Sequence, residues 1–355
     1  MASSLSIATQ TLYAELLEQL VAAEGHREFG ALNGSFIEKK VKGEPYWYFK
    51  TSEGMAQKEF YVGRSPRAEE IMASYHAQRA EAGQHESRIQ VMASMLRQGG
   101  VHAMDPGSGK VIRALAAAGV FNLGGILVGT HAYLALGNAM GVRWDSGLST
   151  QDIDFAARAA INESELAVAI PKGIADIPKA LDALEMGFLP VPGMSPTSPS
   201  TSFKVKGQEL RVDLLTPGSG KPVHIARFKT AAAAVPFLDF ILEDAFPAVV
   251  VNGGATLVKV PAPARFGIHK LAVADQRPLA EQAKAEKDRA QAVEILTWLR
   301  TNRPGDLELV LKELGTKRRA AWAVRIARSA RLAKGLPDRL LEQLAEAARI
   351  SKSQA

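Results

Sequence analysis

The chain of 355 residues has no cysteine. Disulfides, thiolate zinc sites and cysteine nucleophiles are therefore excluded, and the composition fits a reducing compartment, which predicts a cytoplasmic protein. The opening MASSLSIATQTLYAELLEQL lacks the basic segment and long apolar run of a secretory signal. There is no internal repeat and no low-complexity tail. Only Val120 to Val142 is apolar over a length that could span a bilayer. It holds five glycines, a histidine and two asparagines, so a buried strand, a turn and a buried helix explain it better, and no membrane partner is expected.

Hydrophobic residues make up 47% and charged residues 23%, enough for a sizeable core in two or three domains. The net charge of +6 favours a polyanionic partner and says nothing of fold.

Apolar spacing predicts an amphipathic helix over Ile7 to Glu24. Three short alternating runs from Gly34 to Pro66, split at Lys42-Gly43-Glu44 and Ser52-Glu53-Gly54, predict a β-meander. Polar helical sequence then runs to Leu96. A helix over Lys110 to Ala118 precedes a buried strand over Phe121 to Val128, a helix over His131 to Met140 and a strand over Gln151 to Ala156. Glu163 to Leu184 reads as largely helical, and Met194 to Ser202 as a Pro/Ser loop. Phe203 to Leu215 reads as a hairpin, strand-like segments reach Val260, and Pro261 to Ile350 is helical. The expected class is α+β: a mixed-sheet core with an N-terminal helix and meander and a C-terminal helical bundle. The expected division is an N-terminal unit 1–66, a helical linker 67–105, a core 106–260 and a helical domain 261–355.

Within STQDIDFAARAAI, Asp152 and Asp154 flank Ile153. On a strand, i and i+2 share a face, so the two carboxylates repel each other unless a cation joins them, while Ile153 and Phe155 face a core. That pattern makes a divalent-metal clamp. A two-metal nucleotidyl-transfer site also needs a close approach for phosphates and cations to offset charge. Leu127-Val128-Gly129-Thr130 offers a strand end, a glycine, a hydroxyl and a helix start. RVDLL supplies Asp213 between apolar residues, with Arg211 on the same face. Lys270 lies in a helix beyond the core.

In this order, GT, DIDF and RVDLL resemble the nucleotidyltransferase fold of the DNA polymerase beta superfamily. There a Gly-Ser or Gly-Thr pair precedes Asp-x-Asp, and a third Asp follows on a neighbouring strand. The stretch HKLAVADQRPLAEQAKAEKDRAQAVEIL resembles the Lys-Leu…Arg…Lys-Asp region of the abortive-infection type, some members of which act as toxins by adding nucleotides to transfer RNA. The resemblance covers roughly Ile112 to Leu299. It implies Mg²⁺ or Mn²⁺ held by Asp152 and Asp154, with Asp213 completing the site and helping to activate the acceptor hydroxyl. It also implies a nucleoside triphosphate on Gly129, Thr130 and Lys270. The net positive charge, the Lys/aromatic meander and the arginine-rich helix point to an RNA acceptor, and an antitoxin protein is a partner that the sequence leaves open. Gly129 and Asp152 are 23 apart, wider than in many members, and GVRWDSGLST fits between them as an insertion whose Arg143 and Asp145 either touch substrate or belong to a loop.

Other readings stand beside these. Thr130 is a phosphate contact, a helix N-cap, or both. Arg211 is a counter-ion for the carboxylates or a phosphate clamp, and Lys270 a triphosphate contact or a surface lysine. His131 and His269 read as packing or capping residues, and Lys287-Asp288 as a helix-surface pair or a salt bridge to the core. The lysines and aromatics of the meander suit nucleic acid, or the aromatics pack on the first helix. The segment KRRAAWAVRIARSARLAK, Lys317 to Lys334, binds RNA, lines the cleft, or is a solvated face. The rival functions are a transferase acting on a protein or small-molecule hydroxyl, and a catalytically silent module of the same fold that binds nucleic acid.

Overall fold

The computed structural model describes residues 2–25, 34–41, 44–53, 56–145, 150–159, 173–193 and 198–353. Parts of four expected features lie outside them: the helix from Glu163 at 163–172, the Pro/Ser loop at 194–197, the insertion at 146–149, and the meander turns at 42–43 and 54–55.

The chain opens with β1 (Ser3–Ser4) and α1 (Ile7–Gly25), then the antiparallel meander β2 (Gly34–Val41), β3 (Glu44–Glu53) and β4 (Ala56–Gly63). A 32-residue helix, α2 (Arg67–Gln98), leads to α3 (Pro106–Ala117), β5 (Ile126–Val128), α4 (Gly129–Ala139), β6 (Val142–Arg143) and β7 (Asp152–Ala156). After α5 (Ile177–Asp182) come β8 (Phe188–Pro190), β9 (Ser202–Val205), β10 (Arg211–Pro217), β11 (Val223–Ile225), β12 (Thr230–Val235), α6 (Leu238–Leu242), β13 (Ala245–Val251) and β14 (Ala255–Pro261). Five helices close the chain: α7 (Pro263–Gln276), α8 (Gln282–Asn302), α9 (Pro304–Leu314), α10 (Ala320–Leu332) and α11 (Asp338–Ser353).

The central mixed sheet runs β11-β12-β10-β7-β5, with β9 and then β8 branching from the start of β10. β7 and β10 are parallel, and β5 is antiparallel to β7. This is an α+β protein, as expected. The strand expected over Phe121 to Val128 begins only at Ile126; Phe121 and Leu123 are buried in turns instead. An apolar run marks burial, not backbone conformation.

The hairpin β13-β14 joins two cores. Successive side chains on a strand point to opposite faces. Ala248 and Val250 enter the main core, while Val249 and Val251 enter a second core with Tyr13 and Leu16 of α1 and Ile89 and Leu96 of α2. A strand covered on both faces reads as a continuous apolar run, here PAVVV. The Val249 N–H donates to the Tyr13 hydroxyl at 2.9 Å.

Of the meander aromatics, Phe36 and Phe49 pack on α2 and not on the first helix. Phe36 and Phe49 each meet Tyr75 edge to face at 5.3 Å.

A candidate nucleotidyl-transfer site on one sheet face

The parallel register sets Arg211 beside Asp152 and Asp213 beside Asp154. In paired parallel strands, register partners project to the same side, and i and i+2 share it. Asp152, Asp154, Arg211 and Asp213 therefore form a square on one face. Ile153, Phe155, Val212 and Leu214 fill the other and are buried. That burial fixes the face, because slipping a strand by one residue would drive the carboxylates into the core.

Inside the square the charges are unevenly matched. Asp213 Oδ1 accepts from Arg211 Nε at 2.8 Å and from the Ser202 hydroxyl, to which Arg211 Nη2 also donates at 2.8 Å. Ser202 stands opposite Asp213 on β9. Nothing in its Pro/Ser-rich surroundings marked it as a partner of the third aspartate. Asp154 is placed differently. Burial pushes its carboxyl up to about 7, the charges of Asp213, Asp152 and Asp288 add to the rise, and Lys270 opposes it.

Gly129 follows β5, whose Val128 is paired with Asp154. Two independent facts require glycine there. Its φ is +66°, a left-handed backbone that residues with a Cβ adopt at a cost, and a Cβ built on it would run into Asp154 Oδ2. The cap position of α4 falls on Val128, which supplies no side-chain acceptor. Thr130 therefore lies inside the first turn and is buried; the N-cap reading of Thr130 does not hold. His131 Nδ1 lies 3.1 Å from the Asp152 carbonyl oxygen and ties α4 to β7. Burial lowers its pKa to about 4, so the ring is neutral at pH 7 and Nδ1–H donates.

Lys270 is buried on α7, not a surface lysine. Its Nζ donates to Asp288 Oδ1 at 2.7 Å, and Arg277 Nε donates to Asp288 Oδ2 at 2.8 Å. Burial alone would raise Asp288, but the two cations outweigh it and hold its carboxyl below the usual range. Asp288 is thus a buried tie between α7 and α8. Lys287 beside it was missed as a site residue. Burial and Lys270 lower its ammonium, while Asp288, Asp152 and Asp154 pull the other way, which puts Lys287 within electrostatic range of the carboxylate face. Only the adjacent Lys-Asp pair hinted at this. His269 packs, as expected: its ring stacks on Phe237 at 5.9 Å, and burial lowers its pKa to about 4.

Three of the seven cations of the arginine-rich segment are spent on the chain's own acids. Arg319 is buried and donates to Asp239 and Glu243 at 2.8 Å each. Arg318 reaches Glu243 at 3.0 Å, and Arg328 grips Asp275 through two nitrogens at 2.7 and 2.6 Å. In the insertion, Arg143 lies on β6, which pairs with β1.

A nucleotidyltransferase family model matches residues 107–315, well over half of the chain. The chain belongs to the nucleotidyltransferase family. No curated protein matches it. The family span of this nucleotidyltransferase takes in the carboxylate square, Gly129, Lys270 and the Lys287-Asp288 pair, and leaves out α1, the meander, α2 and the last two helices. Among the described residues, no helix is long and apolar enough to cross a membrane.

The donor set has the chemistry of a hard divalent cation, for carboxylate oxygens are what Mg²⁺ and Mn²⁺ take. Among the described residues, no three His, Cys, Asp or Glu side chains stand as a finished cage. The aspartates line a face, and Arg211 and Ser202 engage one oxygen of Asp213.

Proposed function

We propose that the chain moves a nucleoside monophosphate from a nucleoside triphosphate to a hydroxyl on RNA, transfer RNA included, with Mg²⁺ or Mn²⁺ held by Asp152, Asp154 and Asp213. One observation carries the reading. Two aspartates far apart in sequence, Asp154 and Asp213, are register partners, and the only residue type that clears Asp154 Oδ2 stands where β5 turns into α4.

A bound divalent ion supplies charge neutralisation at the triphosphate and a lowered pKa for the attacking hydroxyl. The chain's own residues do the rest. Gly129 and Thr130 let the phosphates approach backbone at the start of α4. Lys270 and Lys287 offset the charge that accumulates as pyrophosphate leaves. Asp213 takes the acceptor proton on Oδ2, the oxygen that Arg211 and Ser202 do not engage. The acceptor oxygen bonds to the α-phosphorus, and the bond from that phosphorus to the β-phosphate oxygen breaks. Arg211 serves as counter-ion, steadying Asp213 until the site fills. An enzyme that modifies transfer RNA would need restraint, and a neutralising protein partner of the antitoxin kind fits that need.

The test incubates the protein with each labelled triphosphate, Mg²⁺ and total cellular RNA. Label should enter RNA with the wild type and not with the double variant Asp152→Ala/Asp154→Ala. Label in protein or a small molecule would change the acceptor. Absence of transfer to any fraction would leave a silent nucleic-acid-binding module.

A further inference from the structure

The meander has two faces, and the core uses one. Strand alternation places Phe36 and Phe49 against Tyr75 of α2 and sends Lys39, Tyr46, Tyr48, Lys50 and Tyr61 to the other side. There the rings gather. Tyr61 lies 5.5 Å from Tyr48 and 6.2 Å from Tyr46. The Arg64 guanidinium lies 4.5 Å from the centre of the Tyr46 ring, and Lys39 Nζ lies 5.1 Å from that of Tyr48. Tyr61 is 58% exposed.

Tyr46 and Tyr48 are only half-buried beside it, and aromatic rings grouped on a surface mark contact sites. The charge indicates the partner. Residues 34–66 hold six Lys or Arg and four Glu, a surplus of two. The rival basic segment, 317–334, spends Arg318, Arg319 and Arg328 on internal acids. On the meander, Lys39 pairs with Glu59 at 2.5 Å, while Arg64 is bonded to the Tyr46 hydroxyl. A phenol there leaves the guanidinium charge uncancelled.

We propose that this outer face binds an unpaired stretch of RNA, with bases stacked on the tyrosines and phosphates held by Lys50 and Arg64. The ring spacings exceed the ~3.4 Å rise of stacked bases, so the bases come from a splayed strand. Unpaired strands present such bases, and stacking on aromatic rings is the usual way to hold them. The choice of RNA over other unpaired polyanions rests on the acceptor reading above.

The test measures fluorescence anisotropy of a labelled unstructured RNA with the full chain, beside the same RNA in duplex form and the matching DNA strand. Tyr61→Ala should weaken binding about 5- to 150-fold, the worth of one stacked base, with the salt slope nearly unchanged, and Tyr61→Phe should restore it. Lys50→Gln/Arg64→Gln should weaken binding and flatten the slope of log K against log salt by about 1.4, two phosphates at ~0.7 each. Unchanged affinity in every variant, duplex bound as well as single strand, or no RNA binding by the wild type at low salt each overturns the proposal, and the last leaves the face to a protein partner. DNA bound as tightly as RNA overturns the choice of RNA. Label transfer to RNA is assayed in parallel: wild-type transfer by Tyr61→Ala with unaltered RNA affinity sinks the docking face and spares the transferase, whereas lost label with retained RNA binding in the wild type does the reverse.

Discussion

Asp154→Asn should stabilise the metal-free protein at pH 8. The carboxyl of Asp154 is pushed from 3.8 to about 7 by burial and by the negative charge of Asp213. Below pH 3.8 the group is protonated whether the chain is folded or not. Between 3.8 and 7 the unfolded chain releases its proton first, so folding loses stability as pH rises, and above 7 the whole cost applies. A gap of about three pH units at about 1.36 kcal/mol each sets a ceiling near 4 kcal/mol. The amide still needs hydrogen-bond partners in a crowded place, and leaving one donor unsatisfied costs about 1–3 kcal/mol. The expected net gain is therefore about 1–3 kcal/mol at pH 8, and near pH 4, where the charge cost is gone, it turns into a loss of about 1–3 kcal/mol. Denaturant titration in the presence of a chelator reads it directly. Adding Mg²⁺ should invert the order, because ligand at a hundred times its Kd stabilises a binding-competent chain by about 2.7 kcal/mol and the asparagine variant forgoes most of that gain. A variant less stable than wild type at pH 8 without metal, or equally changed at pH 4 and pH 8, would refute the charge-repulsion account of this face.

Gly129→Ala should abolish nucleotide transfer and lower stability by about 1–3 kcal/mol, the cost of a strained backbone, with the Cβ contact on Asp154 in addition; activity and a melt on the same sample check both. Asp288→Ala should destabilise more than Arg277→Ala, by roughly 3–5 kcal/mol, because it strands Lys270 as an uncompensated buried charge; equal losses in equilibrium unfolding would count against it. His131 and His269 run opposite in sign to Asp154: each is lowered to about 4, so their contribution is intact above pH 6.5 and lost as pH falls towards 4. His269→Phe should therefore flatten the acid limb of the stability profile, and a limb as steep as the wild type's would exclude His269 as a contributor.

What the sequence made legible was local. The alternation in Gln151 to Ala156 and in FKVKGQELRVDLL gives strands because their apolar residues repeat every second position, and the structure pairs those strands. The glycine before α4 was legible as a residue type, though the collision with Asp154 that demands it is a fact of packing. The long-range pairings were hidden. Lys270, Arg277 and Asp288 meet across two helices, and Ser202 meets Asp213 across a strand pair. No periodicity encodes which polar side chain ends beside which. The basic segment at 317–334 shows the same limit in reverse: its charge density is plain in the sequence, but the acids that absorb it come from residues some 50 to 80 positions upstream.

The 32 residues of α2, at about 1.5 Å each, make a rod of about 48 Å. Tyr75, near one end, is clamped by the meander, and Ile89 to Leu96, near the other, by the second core. The described residues between them are mostly exposed, so over about four turns the meander's orientation is transmitted through the helix itself. The rod sets a rotational phase as well as a length. Deleting one residue from the exposed stretch would swing the tyrosine platform by about 100° with every local contact intact, whereas removing seven, close to two whole turns, would draw it in by about 10 Å and keep it facing nearly the same way. Related chains that carry such a rod can therefore alter its length freely only in steps of whole turns.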